Sequence, residues 1–261
     1  LIPNALSWWI FNASDRVIVS AILGVSLNGI LAAASKFSTV YITIYNIFSM
    51  SWTESVSVNI NDDDIENYFN NIFDFVIRIF VSLALGIVAF MPFVYSLLIN
   101  ENYAFGYKIV PILVYASFFN VIVGMESSLY IAKKKTKQVA STSIVSAILN
   151  IIIHLALINY IGLYAAAIST FSSFFIMSIY RFFDLRKNVL KIKFNKFVML
   201  SSIFVISIVT FIYYCNSIIL QMIGILLSVI FAIVLNKKLL LTIYLKFKEG
   251  EKNVKRFVKE K

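Results

Sequence analysis

Long apolar runs repeat from one end of the chain to the other, and they limit it to one class of fold. Each run has about 20 residues, the length at which an α-helix crosses the hydrocarbon core of a bilayer. We count about eight runs, at residues 4–23, 30–54, 72–99, 108–131, 139–159, 162–183, 197–215 and 218–236. The sequence is 60% hydrophobic and 14% charged, and it therefore predicts an all-α, polytopic transmembrane helical bundle.

Basic residues are concentrated on one side of the predicted bundle. An even number of spans places both chain ends on that side, together with the loops that follow the even-numbered spans. These loops and the tail contain Lys133, Lys134, Lys135, Lys137, Arg181, Arg186, Lys187, Lys191, Lys193, Lys196 and nine more basic residues from Lys237 to Lys261. The positive-inside rule therefore predicts that the long loops and the C-terminus are cytoplasmic. The net charge of +10 follows from this topology, and we expect no nucleic-acid partner.

Enzyme and metal chemistry have little support in the sequence. There is one cysteine, Cys215, and one histidine, His154, which excludes an internal disulfide and gives no metal cluster. The sequence has no phosphate-binding loop and no nucleophile with a base. The predicted outer turns, at 24–29, 100–107 and 160–161, are too short for a folded catalytic domain. We expect a non-enzyme without cofactor or metal that functions between its helices.

Three charged residues lie inside the first predicted hairpin: Asp15 and Arg16 in its first arm and Lys36 in its second. A charge at mid-bilayer costs about 2.5–3.5 kcal/mol. At about 1.5 Å per residue, Arg16 and Lys36 both lie about 10–12 Å below the turn between Gly24 and Gly29. Two cations at the same depth repel one another unless an anion lies between them.

Two interpretations of these charges remain open. The first is an internal ion-pair network that joins helices. The second, which we favour, is a cationic wall of a water-filled cavity that binds an anionic substrate. The predicted substrate-binding residues are Arg16, Lys36, Asp15 and Asn12. The forked arginine suits a phosphate, and neighbouring polar residues at helical spacing suit sugars: Ser20, Ser35, Ser38 and Thr39.

Other intramembrane polar residues are predicted to be structural. Asp74 and Arg78 are spaced for an ion pair within one helix. Glu54 and Glu126 lie near the predicted cytoplasmic boundary, and we expect Glu126 to balance the basic loop that follows it. For His154 an interhelical hydrogen bond is favoured over a proton relay.

Three stretches together resemble a known family. They are residues 9–16 (WIFNASDR) before a glycine-containing turn, residues 91–113 with Pro92 and an outer turn containing Tyr103, and residues 150–170 with Asn150, a tight turn and a run of small residues. The chain resembles the polysaccharide (O-antigen and capsule) flippases of the multidrug/oligosaccharidyl-lipid/polysaccharide exporter superfamily. The resemblance is to the C-terminal half of such a MATE-like two-lobe transporter, so we expect an N-terminal lobe before residue 1.

This resemblance implies a domain organisation and a function. Residues 1–183 would form the six-helix lobe, 184–196 a basic cytoplasmic loop, 197–236 two additional spans that help form a lateral groove for a lipid tail, and 237–261 a basic cytoplasmic tail. The protein would move undecaprenyl-diphosphate-linked oligosaccharide across the bacterial inner membrane by alternating access. Arg16 and Lys36 would meet the diphosphate or acidic sugars. The implied partners are the lipid-linked oligosaccharide, membrane lipid and the N-terminal lobe.

Three alternatives are less consistent with the sequence. A cation-coupled multidrug exporter of the same superfamily predicts a cavity rich in carboxylates. A membrane glycan polymerase or glycosyltransferase would require a larger outer loop or an acidic pair near the surface. A purely structural membrane subunit leaves the buried charges of the first hairpin unexplained.

Overall fold

The computed structural model describes residues 13–215, 217–242, 244, 245 and 248, and the regular structure in this part of the chain is helical. The predicted all-α polytopic bundle is therefore confirmed. The helices are α1 (13–22), α2 (Val25–Asn59), α3 (Ile65–Leu98), a 3-10 helix (Glu101–Ile109), α4 (Val110–Ala132), α5 (Thr136–Ile161), α6 (Tyr164–Asn188), α7 (Lys196–Tyr214) and α8 (Ile218–Leu235).

Six helical segments in the described ranges are long and apolar enough to cross a membrane: α3, the 3-10 helix with α4, α5, α6, α7 and α8. The two remaining predicted spans correspond to α1 and α2. Residues 1–12, which precede α1, lie outside the described residues. α2 has 35 residues and is about 52 Å long at the usual helical rise. It exceeds a bilayer core in length, but polar residues on one of its faces lower its mean hydropathy.

Glycines end two helices where the chain turns sharply. Gly24, between α1 and α2, has φ +95°, and its N–H donates to Val19 O at 3.1 Å. Gly162 follows α5 with φ +55°, and its N–H donates to Ile158 O at 2.9 Å. Residues other than glycine rarely adopt such backbone angles, so a glycine at each position ends the helix at a low cost in conformational energy.

The bundle has α4 at its centre, packed against both α2 and α6, while α5 covers the other side of α6. α3 packs beside α4, and α7 and α8 pack against α3. Large side chains fill this core, including Tyr41, Phe69, Phe73, Met125 and Leu129. The polar face of α2 lines the space beside α4 and α6.

Hydrogen bonds at both ends attach α7 to the 3-10 helix and α8 to α3. At the C-terminal end of α7, Tyr213 Oη donates to Tyr107 O at 2.6 Å, Tyr107 Oη donates to Tyr213 O at 3.1 Å, and the two rings stack at 4.3 Å. At the other end, Arg78 Nη1 donates to Leu235 O, the last carbonyl of α8, at 3.1 Å. A cation at a helix C-terminus is favourable because it meets unpaired carbonyls.

α7 and α8 pack closely against α3, and the lipid groove expected at these two helices stays a prediction. Around Pro92, Tyr213 and Gly224, the free space is about 10 Å³, which is no more than one water occupies. The first part of the predicted basic loop at 184–196 is helical, because α6 continues to Asn188. In the remainder of this loop the Ile192 side chain packs into the core, and Lys191 and Lys193 on either side of it are exposed.

Candidate functional site

A polar cavity of about 570 Å³ lies between α1, α2, α4 and α6. Most of its wall consists of hydroxyl, amide and charged side chains. The lining residues are Asp15, Arg16, Leu31, Ser35, Ser38, Thr39, Ile42, Tyr45, Asn46, Ser49, Thr53, Leu113, Ser117, Asn120, Gly124, Ser127, Thr170 and Phe174.

One face of α2 supplies half of this wall. Its lining residues recur every three or four positions from Leu31 to Thr53, which is the spacing of a single helix face. Several of the hydroxyls donate to carbonyls of their own helix, as Ser35 Oγ does to Leu31 O at 2.6 Å and Thr39 Oγ1 to Ser35 O at 2.9 Å. Their oxygen lone pairs remain free to accept hydrogen bonds from a ligand. The amides of Asn46 and Asn120 add donors.

Side chains of α5 and α6 hold the Asp15 carboxylate in place by hydrogen bonds. His154 Nδ1 on α5 lies 2.8 Å from Asp15 Oδ1, and Thr170 Oγ1 on α6 donates to Asp15 Oδ2 at 2.8 Å. With its amide nitrogen turned towards Asp15, Asn150 donates to Oδ1 at 3.3 Å and accepts from the Thr170 backbone N–H at 3.2 Å. His154 and Asn150 are fully buried. The interhelical hydrogen bond predicted for His154 is therefore present, and its partner is Asp15.

Arg16 lines the same cavity and is exposed to it. No residue in the described ranges forms an ion pair or hydrogen bond with its guanidinium. Asp15 forms no ion pair with it, and both Asp15 oxygens are hydrogen-bonded to α5 and α6 instead. The cavity therefore contains a cation that is available to an anionic ligand.

Lys36 is not among the lining residues, although the sequence placed it opposite Arg16. It is exposed and precedes Ile42, in the middle of the cavity face, by six positions. At 100° per residue this puts Lys36 about 120° around the helix from that face. The prediction from depth alone omitted this rotation. Asn12, the fourth predicted substrate-binding residue, lies outside the described residues.

The other charged residues follow the predictions only in part. Arg78 Nε and Asp74 Oδ2 form the predicted ion pair at 2.6 Å. Glu54 is exposed. Glu126, predicted to balance a cytoplasmic loop, is fully buried, and its two oxygens accept no hydrogen bond from the described part of the chain.

Arg181 is the clearest residue that the sequence misassigned. We counted it among the cytoplasmic loop residues, but it lies within α6 and its side chain is fully buried. Hydroxyls of two facing helices accept its hydrogen bonds, Ser127 on α4 and Thr142 with Ser143 on α5, and no feature of the sequence next to Arg181 indicates these partners.

Comparison with solved structures relates this arrangement to a known transporter fold. The chain is similar in fold to a lipid II flippase. The flippase MurJ, in an inward closed conformation, aligns with 86% of this chain and 53% of its own chain at a TM-score of 0.57 and 18% identity. This chain thus spans about half the length of MurJ. An outward-facing multidrug resistance MATE family transporter of the MOP superfamily aligns with 84% of this chain and 66% of its own at a TM-score of 0.36 and 13% identity.

No protein-family model and no curated protein sequence matches the chain. The MurJ alignment concerns the fold alone, because 18% identity is too low to transfer a substrate. It agrees with the all-α transmembrane bundle that the resemblance implied. The selectivity of the site has to be argued from its own residues.

Proposed function

We propose that this chain is one lobe of a membrane flippase that moves undecaprenyl-diphosphate-linked oligosaccharide across the bacterial inner membrane by alternating access. The observation that supports this most strongly is Arg16, a cation in a polar cavity without an acidic partner among the described residues. Arginine pairs with phosphate through two parallel N–H donors. The surrounding hydroxyls and amides are groups that sugars bind.

The size of the cavity and of the chain agree with a lobe of a larger transporter. The cavity volume of about 570 Å³ accommodates a diphosphate and the first sugars of a glycan rather than a complete repeat unit. The alignment covers about half of MurJ. We therefore propose that an N-terminal lobe completes the cavity, and that membrane lipid and the lipid-linked oligosaccharide are the other partners. In this proposal the loops that carry the basic residues are cytoplasmic.

The multidrug-exporter alternative fits the cavity less well. That function predicts several carboxylates facing the ligand, but Asp15 is the one carboxylate among the described lining residues. Both of its oxygens are engaged by His154 and Thr170. Arg16 is therefore the charged group on the described wall that is free to pair with an anionic ligand.

The proposal is tested by replacing Arg16 in the full-length gene and measuring glycan at the cell surface. Loss of a charge-assisted hydrogen bond costs about 1.5–3 kcal/mol, so Arg16→Ala should lower transport by roughly 10-fold or more. Arg16→Lys should retain part of the activity. Arg186→Ala, which removes an exposed arginine at the end of α6, is the matched control and should behave as wild type. Normal surface glycan from well-expressed Arg16→Ala would refute the proposal.

A further inference from the structure

A second polar cluster lies behind the cavity wall, where α4 packs against α6. Glu126 and Arg181 are both 0% exposed. Neither carboxyl oxygen of Glu126 has a hydrogen-bond partner in the described part of the chain. The cluster is distinct from the site around Asp15, and the proposed function does not use it.

Arg181 is bound entirely by uncharged oxygens. A guanidinium has five N–H groups, and here Nε donates to Thr142 Oγ1 at 2.9 Å, while Nη1 donates to Ser127 Oγ at 2.6 Å and to Val123 O at 3.2 Å. The remaining nitrogen, Nη2, donates to Thr142 Oγ1 at 2.7 Å, Ser143 Oγ at 3.1 Å and Val139 O at 3.2 Å. The Glu126 carboxyl and the Arg181 guanidinium are thus both buried and close enough to interact electrostatically, but no hydrogen bond joins them.

The surroundings of Glu126 favour its neutral form. An ionised carboxylate here would lose its hydration and receive no hydrogen bond in return. The groups that face it are Tyr45 from α2, Tyr130 from α4 and Arg181 from α6, and among the described residues no charged group of α3 or α5 acts on it. The Tyr130 hydroxyl donates to Asp184 Oδ2 at 2.6 Å rather than to Glu126. Tyr130 and Arg181 therefore donate their hydrogen bonds to other groups, and the Tyr45 hydroxyl forms none with Glu126.

The cluster is connected to the cavity by residues that belong to both. Ser127 lines the cavity and also accepts the hydrogen bond from Arg181. Tyr45 lines the cavity, and its hydroxyl, which has no partner in the described ranges, is directed at α4. The absence of a side chain at Gly124 allows this approach, because a Cβ there would lie 2.6 Å from Tyr45 Cε1.

We propose that Glu126 is a proton-binding site that controls the shape of the cavity wall. In the proposed resting state the carboxyl holds its proton, and Arg181 donates a hydrogen bond to Ser127. When water reaches the carboxyl from the cavity, the O–H bond breaks, the proton passes to water, and the bond's electron pair remains on Glu126 as a negative charge. The carboxylate then attracts the guanidinium, whose N–H groups leave Ser127 and Val123 for Glu126. Ser127 is released and the α4–α6 contact beside the cavity rearranges.

Infrared difference spectroscopy of the purified full-length protein tests the protonation state. At neutral pH, subtracting the Glu126→Gln spectrum from that of wild type should leave the carbonyl band of a protonated carboxyl. Glu54→Gln, which removes an exposed carboxylate, should instead leave an ionised carboxylate band. A carboxylate band for Glu126 at neutral pH would overturn the proposal. If Glu126→Gln does not fold, Glu126→Met removes the ionisable group at similar volume.

A second measurement tests the coupling to the cavity. A cysteine at Asn120, introduced in a Cys215→Ser background, should react with a water-soluble thiol reagent at a rate that changes severalfold with pH beyond the effect of thiol ionisation. Glu126→Gln should abolish that change, whereas Glu54→Gln should leave it intact. An unchanged pH profile in Glu126→Gln would refute the coupling. Neither measurement uses a transported substrate, so a failure here is independent of the proposed function.

Discussion

His154 Nδ1 lies 2.8 Å from Asp15 Oδ1, and this bond joins α5 to α1 inside the bundle. Thr170 of α6 binds the other oxygen of the same carboxylate at 2.8 Å. Adjacent residues of a helix point about 100° apart, so Asp15 faces α5 and α6 while Arg16 is left facing the cavity. The carboxylate therefore fixes this part of α1 without forming an ion pair with the neighbouring cation.

Loss of this anchor should destabilise the bundle. Asp15→Ala leaves the buried imidazole of His154 without its partner at Nδ1, at a cost of about 1–3 kcal/mol, whereas the Thr170 hydroxyl can still donate to Ala166 O. Thermal unfolding of the purified full-length protein in detergent should show a lower midpoint. Asp62→Ala, at an exposed position after α2, should leave the midpoint unchanged. Equal midpoints for the two variants would show that the anchor contributes nothing to stability.

The paired tyrosines should contribute cooperatively to the attachment of α7. Tyr213→Phe and Tyr107→Phe each remove one hydroxyl that donates across the contact, and each should cost about 0.5–1.5 kcal/mol. Because the two rings also stack, the double variant should differ from the sum of the single ones. Unfolding of all three variants by denaturant gives this coupling energy. Strict additivity would mean that the two hydroxyls act independently.

Two helical glycines should respond oppositely to alanine. In Gly124→Ala the new Cβ meets the Tyr45 ring, and such overpacking costs about 1–3 kcal/mol. In Gly86→Ala the Cβ enters open space, and the lower entropy of the unfolded chain should add about 0.5–1 kcal/mol of stability. Thermal unfolding of both variants distinguishes these effects. A stabilised Gly124→Ala would contradict the described approach of Tyr45 to α4.

The cavity should be accessible to water, whereas the outer face of α5 should not. In a Cys215→Ser background, a cysteine at Asn46 should react with a charged thiol reagent because the reactive thiolate forms only where water reaches it. A cysteine at Ile148, on the apolar surface of α5, should remain unlabelled in membranes. The labelling rates measured by mass spectrometry should differ by at least about 10-fold. Equal rates would indicate that the cavity is closed or filled by lipid.

The fold class could be predicted from the sequence because span length and charge asymmetry are local properties. Runs such as 139–159 and 218–236 predicted α5 and α8 to within a few residues. The ends of α3 and α6 were less accurate, since Ile65 and Asn188 belong to helical turns that continue beyond the apolar part of the helix. Hydropathy marks where the apolar part of a helix ends, whereas the helix itself ends where its backbone hydrogen bonds end.

The site was less predictable because it depends on rotation about helix axes and on contacts between distant segments. Depth along the helix placed Lys36 level with Arg16, but the phase of α2 turns it away from the cavity. The bonds from Asp15 to His154 and Thr170 cross 139 and 155 positions of sequence. Nothing local indicates that Arg181 is buried, since its partners lie on α4 and α5.

The most direct test of the account is the binding of undecaprenyl diphosphate to the purified full-length protein. Wild type should bind the diphosphate more tightly than the uncharged undecaprenol, because we propose that Arg16 binds the phosphates. Arg16→Ala should weaken diphosphate binding by roughly 10-fold or more and leave undecaprenol binding unchanged, whereas Arg186→Ala should alter neither. Equal affinity of wild type and Arg16→Ala for the diphosphate would contradict the assignment of Arg16 as the residue that binds the anionic substrate.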